Sequence, residues 1–157
     1  MKNTNNIGLD QNASQATAAE LNDLLANYQL FYMNLRGFHW NIKGKKFFEL
    51  HVKFEELYND ALVKVDEIAE RVLTLSATPL HAFQDYLDAS EIKSAENVTD
   101  GEIAINNILE SLKILLSKER AILSVAGDAS DEGTVALMSD YIVEQEKLVW
   151  MLSAYQD

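Results

Sequence analysis

One proline, Pro79, and six glycines in 157 residues leave this chain few ways to stop a helix once it has started. The apolar residues supply the rhythm. Leu21, Leu24, Leu25, Tyr28, Phe31, Tyr32 and Leu35 recur at three- and four-residue spacing, which is one face of a helix. They predict a helix over about residues 16–42, ending at the turn offered by Lys43 and Gly44. A second run carries Phe47, Leu50, Phe54, Leu57, Tyr58, Ala61, Val65, Ile68, Val72 and Leu73. It predicts a helix over about residues 46–76, about 45 Å long at the standard rise, closed by Pro79.

Residues 78–98 form a linker long for a helical bundle, with a short helix expected at 83–87. Thr99, Asp100, Gly101 and Glu102 resemble a capping box. They open a third helix bearing Ile103, Ile105, Ile108, Leu109, Leu112, Leu115 and Leu116, which ends near Gly127. Ser130 or Asp131 caps a fourth, carrying Val135, Leu137, Met138, Ile142, Val143, Leu148, Met151 and Leu152. Short turns within each helix pair and a long link between the pairs describe an all-α, ferritin-like four-helix bundle whose crossover carries a short helix. Residues 1–15 lack periodicity and read as a flexible N-terminal arm, leaving residues 16–157 as one domain.

No stretch is long and apolar enough to span a membrane, and the polar start of the chain lacks the apolar core of a secretory signal. The absence of cysteine removes disulfides and thiolate metal sites. A cytoplasmic protein fits these facts. The net charge of −12 repels nucleic-acid phosphates and attracts cations.

Two of the three histidines stand near carboxylates in an informative way. His51 and Glu55 are four apart on the second helix and share a face; so do Asp66 and Glu70. His51 and Asp66 lie about 22 Å apart along the axis, too far for one ion. In an antiparallel pair of these helices, facing residues have numbers of constant sum. His51 with Glu70 and Glu55 with Asp66 both sum to 121, so a single register sets each His51/Glu55 pair opposite the other copy's Asp66/Glu70 pair. A two-fold axis does this twice. His39 supplies a second imidazole from the end of the first helix. Imidazole nitrogens with carboxylate oxygens suit Fe(II), Mn or Zn better than Ca or Mg. An intrachain di-iron core of the Glu-x-x-His kind is absent, because Arg36, Phe48 and Thr78 stand three residues before the histidines.

Residues 34–44 (NLRGFHWNIKG), 47–58 (FFELHVKFEELY), 66–71 (DEIAER) and 150–155 (WMLSAY) together resemble the Dps family of miniferritins. The resemblance covers roughly residues 16–156. It implies a dodecameric shell with ferroxidase centres at two-fold interfaces, where His39, His51 and Glu55 come from one subunit and Asp66 and Glu70 from its neighbour. It further implies that Fe(II) is oxidised, with hydrogen peroxide preferred, and that Fe(III) mineral is stored in the cavity against oxidative damage. Family members often carry Asp where this chain has Glu55. Trp40 matches a family position that intercepts oxidising equivalents near the iron. Relatives that bind DNA use lysine- or arginine-rich tails, whereas these tails offer Lys2 against Asp10 and end in Gln156 and Asp157. DNA binding at moderate salt is therefore not expected.

Blander readings stand beside these. His81, four before Asp85, reads as a plain loop histidine. Asp128, Asp131, Glu132 and Asp140 suit either an acidic pore or helix capping, and Lys43, Lys45 and Lys46 suit a solvated turn. The rival to a ferroxidase is a non-enzymatic helical bundle that binds metal or dimerises; iron-oxidation kinetics separate the two.

Overall fold

The computed structural model describes residues 3–157. Its helices are α1 (Gln11–Asn41), α2 (Phe47–Thr74), α3 (Phe83–Ala89), α4 (Gly101–Asp128) and α5 (Glu132–Gln156), with no strand among the described residues. α1 packs along α2 and α4, α4 along α5, and the short α3 lies on α1. This is the expected bundle with its crossover.

The start of α1 departs from the sequence expectation. Residues 3–10, read as part of a flexible arm ending at residue 15, fold back on themselves, and the helix begins at Gln11. Met1 and Lys2 lie outside the described residues. The cause is side-chain capping that apolar periodicity does not register. Asp10 accepts from the Ala13 N–H at 2.9 Å, while buried Asn5 accepts from the N–H groups of Ile7 and Leu9 and donates to Ser14.

Three asparagines on α1 fix the crossover. Asn22 binds the Thr78 carbonyl and the Leu80 N–H. Asn27 accepts from the N–H groups of Glu91 and Ile92 and from the Ser90 hydroxyl. Asn34 donates to the Lys93 carbonyl and accepts from the Ala95 N–H. Irregular backbone against a buried helix needs such partners. The amide oxygens and nitrogens supply them, so a long link lies down as an ordered strap.

The remaining turns follow local chemistry. Between α1 and α2 the backbone turns through Gly44 at φ +110°, a conformation that costs glycine least. The N-cap of α4 is Asp100, accepting from the Ile103 N–H at 3.0 Å, rather than Thr99 as a capping box opening there requires. Asp131 caps α5, accepts from the Thr134 hydroxyl at 2.6 Å and pairs with Arg71 of α2 at 2.6 Å. It is buried and so structural. Asp128, Glu132 and Asp140 are exposed.

The core interleaves Leu21, Leu24, Leu25, Tyr28, Leu35 and Phe38 of α1 with Phe54, Ile68 and Val72 of α2, Ile105, Ile108 and Leu112 of α4, and Met138 and Tyr141 of α5. Burial of each large apolar side chain contributes about 1.5–3 kcal/mol. Polar groups enter this core at one level. Tyr28 and Gln145 both donate to Glu119, whose exposure is 0%.

Candidate metal centre

α2 has two unlike faces. Leu50, Phe54, Ala61, Lys64, Ile68 and Val72 point into the bundle. The outward stripe runs Phe48, Val52, Glu55, Asn59, Leu62, Asp66, Glu70 and Leu73 at three- and four-residue steps, which keeps it on one side of the helix. It is exposed along its whole length, Phe48 to 82% and Leu73 to 58%. A shallow groove lined by Leu62, Val63, Val65, Asp66 and Glu67 opens at its middle.

His39, at the end of α1, meets His51, one turn into α2. Their rings stack with centroids 3.8 Å apart and planes 12° from parallel, and Phe47 continues the stack on His51 at 4.9 Å. Each histidine binds the other's backbone. His39 Nδ1 lies 2.6 Å from the His51 carbonyl oxygen, and His51 Nδ1 lies 2.7 Å from the His39 carbonyl oxygen. A carbonyl only accepts, so each Nδ1 carries its proton and donates. A neutral ring with its proton at Nδ1 presents the lone pair of Nε2, and this use of one ring nitrogen to orient the other is typical of metal-binding histidines. The two Nε2 atoms therefore form a pre-oriented nitrogen pair.

Glu55 lies exposed one turn beyond His51 and accepts from the Tyr58 hydroxyl at 3.4 Å. Tyr58 in turn sets its ring edge-on to His39 at 5.3 Å. Trp40 is 57% exposed, with the Arg36 guanidinium 4.6 Å over its ring. Asp66 and Glu70 are exposed on the same helix but about 22 and about 28 Å of axis beyond His51. Among the described residues no three His, Asp or Glu side chains gather into a metal site within the single chain. The structure thus joins His39 to His51, sets Glu55 beside them through Tyr58, and leaves Asp66 and Glu70 apart. His81 is exposed, with its Nδ1 3.0 Å from the Pro79 carbonyl, as a loop histidine would be.

Sequence reasoning passed over two neighbours of this centre. Tyr58 follows His51 by two turns and Arg36 precedes His39 by three residues, spacings that share a helix face and mark both as candidates. It also passed over Glu119, which interrupts the apolar row of Leu112, Leu115, Ile122 and Ala126 on α4.

Two helix pairs, each with a tight turn, joined by a strapped crossover and bearing His and carboxylate donors on one helix, define a ferritin-like bundle. The ferritin-like domain family matches residues 18–157. Within that class the chain belongs to the Dps family. It is 46% identical over 148 residues to a DNA protection during starvation protein of Porphyromonas gingivalis, covering 94% of this chain and 93% of that one. The crystal structure of a Dps protein from Vibrio cholerae O1, described as a member of a broad superfamily of ferritin-like diiron-carboxylate proteins, superposes with a TM-score of 0.98 at 58% identity, covering 100% of this chain and 98% of that chain. A Dps protein from Bacillus brevis superposes with a TM-score of 0.90 at 34% identity, covering 93% and 98%. No described helix is long and apolar enough to cross a membrane.

Proposed function

We propose that this protein is a ferroxidase miniferritin. It binds Fe(II) as substrate at centres shared between two copies, oxidises it with hydrogen peroxide in preference to dioxygen, and stores the Fe(III) mineral inside a dodecameric shell in the cytoplasm. The observation that carries the reading is the cross-braced His39–His51 pair, which gathers no third His, Asp or Glu into a metal site among the described residues of its own chain.

The outward stripe of α2 supports a second copy as the source of the missing ligands. In the antiparallel register that opposes His51 with Glu70 and Glu55 with Asp66, exposed Phe48 also meets exposed Leu73, since those numbers again sum to 121. The central groove of Leu62 and Val63 then falls near the axis and gives that interface its apolar middle. Two imidazole nitrogens with carboxylates from both copies hold Fe(II). The added carboxylate charge stabilises Fe(III) relative to Fe(II) and favours oxidation. Trp40, exposed beside His39, intercepts oxidising equivalents that escape.

The relatives' name, DNA protection during starvation, suits protection by removing iron and peroxide together, the reagents of radical damage. A net charge of −12 opposes direct DNA binding.

Subunit complementation tests the shared centre. His51→Ala and Asp66→Ala assemblies each lose Fe(II) oxidation. In a mixed dimer one centre carries both defects and the other carries neither. Co-assembly at equal ratio therefore restores about a quarter of wild-type activity, since half the dimers are mixed and half their centres intact. Mixed assemblies as inactive as their parents would reject a shared centre.

A further inference from the structure

The two bonds that brace His39 against His51 both lie where a helix ends. The Ile42 N–H closes α1 on the Phe38 carbonyl, but the Lys43 N–H donates to the Thr99 carbonyl at 3.0 Å and not to His39, four residues back. The His39 carbonyl is thus left for His51 Nδ1. On the other side, α2 begins at Phe47 behind Lys46, whose side chain makes no capping bond. Its first turn lacks the partner that Asp10, Asp100 and Asp131 give α1, α4 and α5, and helix ends are where backbone opens most easily. A ring holds this turn instead. Phe47, one turn before His51, stacks on it with centroids 4.9 Å apart and planes 17° from parallel. His39 stacks on the same ring at 3.8 Å and 12°. Two flat rings this close to a third, and nearly parallel to it, cannot share one face without overlapping, so His51 is sandwiched between them. Phe47 also meets Phe48 edge-to-face at 5.3 Å and packs on the margin of the core.

We propose that Phe47 is a positioning residue for the metal centre: by closing the second face of His51 it keeps that ring's Nε2 lone pair aimed where the iron binds. The inference rests on the ferroxidase reading above. A single hydrogen bond at Nδ1 fixes one point of an imidazole and leaves the ring free to tilt about it. Contact on both faces removes the tilt and keeps water away from the bond to the His39 carbonyl. If that bond opens, the ring proton can reside on Nε2 instead, and the lone pair that a metal takes is lost. His39 cannot perform this task alone, because it covers one face only. Phe47 itself touches no iron, and its part is to orient a ligand and to pin the uncapped turn that carries it.

Two readouts on the assembled protein test this. Phe47→Leu and Phe47→Met keep apolar bulk but have no flat face, whereas Phe47→Tyr keeps the face. In Fe(II) oxidation, KM for iron should rise about tenfold to a hundredfold in the Leu and Met variants, with kcat at saturating iron little changed and wild-type behaviour restored in Phe47→Tyr. Solid-state nitrogen NMR on metal-free assemblies with isotope-labelled histidine reads the tautomer directly, His51 being assigned by its loss in His51→Gln. Wild type and Phe47→Tyr should show His51 protonated at Nδ1 alone, and the Leu and Met variants a mixture of both tautomers. An unchanged KM and an unchanged tautomer in Phe47→Leu or Phe47→Met overturn the inference and leave the ferroxidase standing. So does Phe47→Tyr that fails as badly as Phe47→Leu. The NMR needs no iron: if wild type oxidises none while the tautomer still shifts in Phe47→Leu, the ferroxidase reading falls and the orienting role of Phe47 stands.

Discussion

Glu119 makes the stability of this bundle depend on pH in a direction that can be worked out beforehand. Burial raises its pKa from 4.5 to about 7, against hydrogen bonds from Gln145 and Tyr28 and the charges of Lys64 and Arg120, which act the other way. The second carboxyl oxygen, Oε1, is buried with no partner, so ionisation leaves charge on an atom that nothing solvates. The folded state therefore holds a proton between about pH 4.5 and 7 that the unfolded chain has released. The stabilisation is fully present below the lower value and lost as pH rises through the upper one. The rise from 4.5 to about 7 amounts to about 3 kcal/mol, of which about 2.5 kcal/mol falls between about pH 5 and about pH 8. Glu119→Gln keeps the shape of the neutral acid and cannot ionise. The assay is the melting temperature of variant minus wild type at equal protein concentration. At about 2–4 °C per kcal/mol for a chain of this size, that difference should grow by about 5–10 °C in the variant's favour between about pH 5 and about pH 8. A difference that stays flat, or moves toward wild type as pH rises, would refute the reasoning.

Other consequences follow from single contacts. Phe54→Ala, at a fully buried ring packed against Phe38, should cost about 3–5 kcal/mol by thermal or urea unfolding. Asn34→Ala removes both bonds to the crossover at Lys93 and Ala95; a loss of about 1–3 kcal/mol is expected, with faster amide exchange confined to residues near 90–98. Leu73→Asp sets a charge on the exposed stripe, at the position that the proposed antiparallel register places opposite Phe48, and size-exclusion chromatography should show the assembly shifted toward single subunits while helical circular dichroism is kept.

The fold was legible because its determinants are periodic. Runs such as Leu21 to Leu35 and Ile103 to Leu116 encode both helix and buried face, and Pro79 with the polar stretch after it marks the crossover. What escaped is chemistry carried by single polar side chains. The turn built by Asn5 and the cap at Asp10 lie in a segment with no apolar rhythm, so α1 begins five residues before Ala16. The asparagine clamps on the crossover have no spacing rule that predicts them. The candidate centre was legible as residues and opaque as geometry. His51 and Glu55 were readable as sharing one helix face and His39 as lying at the end of the first helix, but the reciprocal Nδ1–carbonyl bonds depend on how α1 enters the turn at Gly44, which sequence periodicity leaves open.

The central claim, that iron is held between chains, is tested most directly by soaking crystals of the assembly anaerobically in Fe(II) and mapping anomalous scattering at the iron edge. The account predicts peaks in two-fold pairs, each within bonding distance of His51 Nε2 from one copy and of a carboxylate of Asp66 or Glu70 from another. Iron ligated wholly within one chain, or absent from the histidine pair while bound elsewhere, would contradict it.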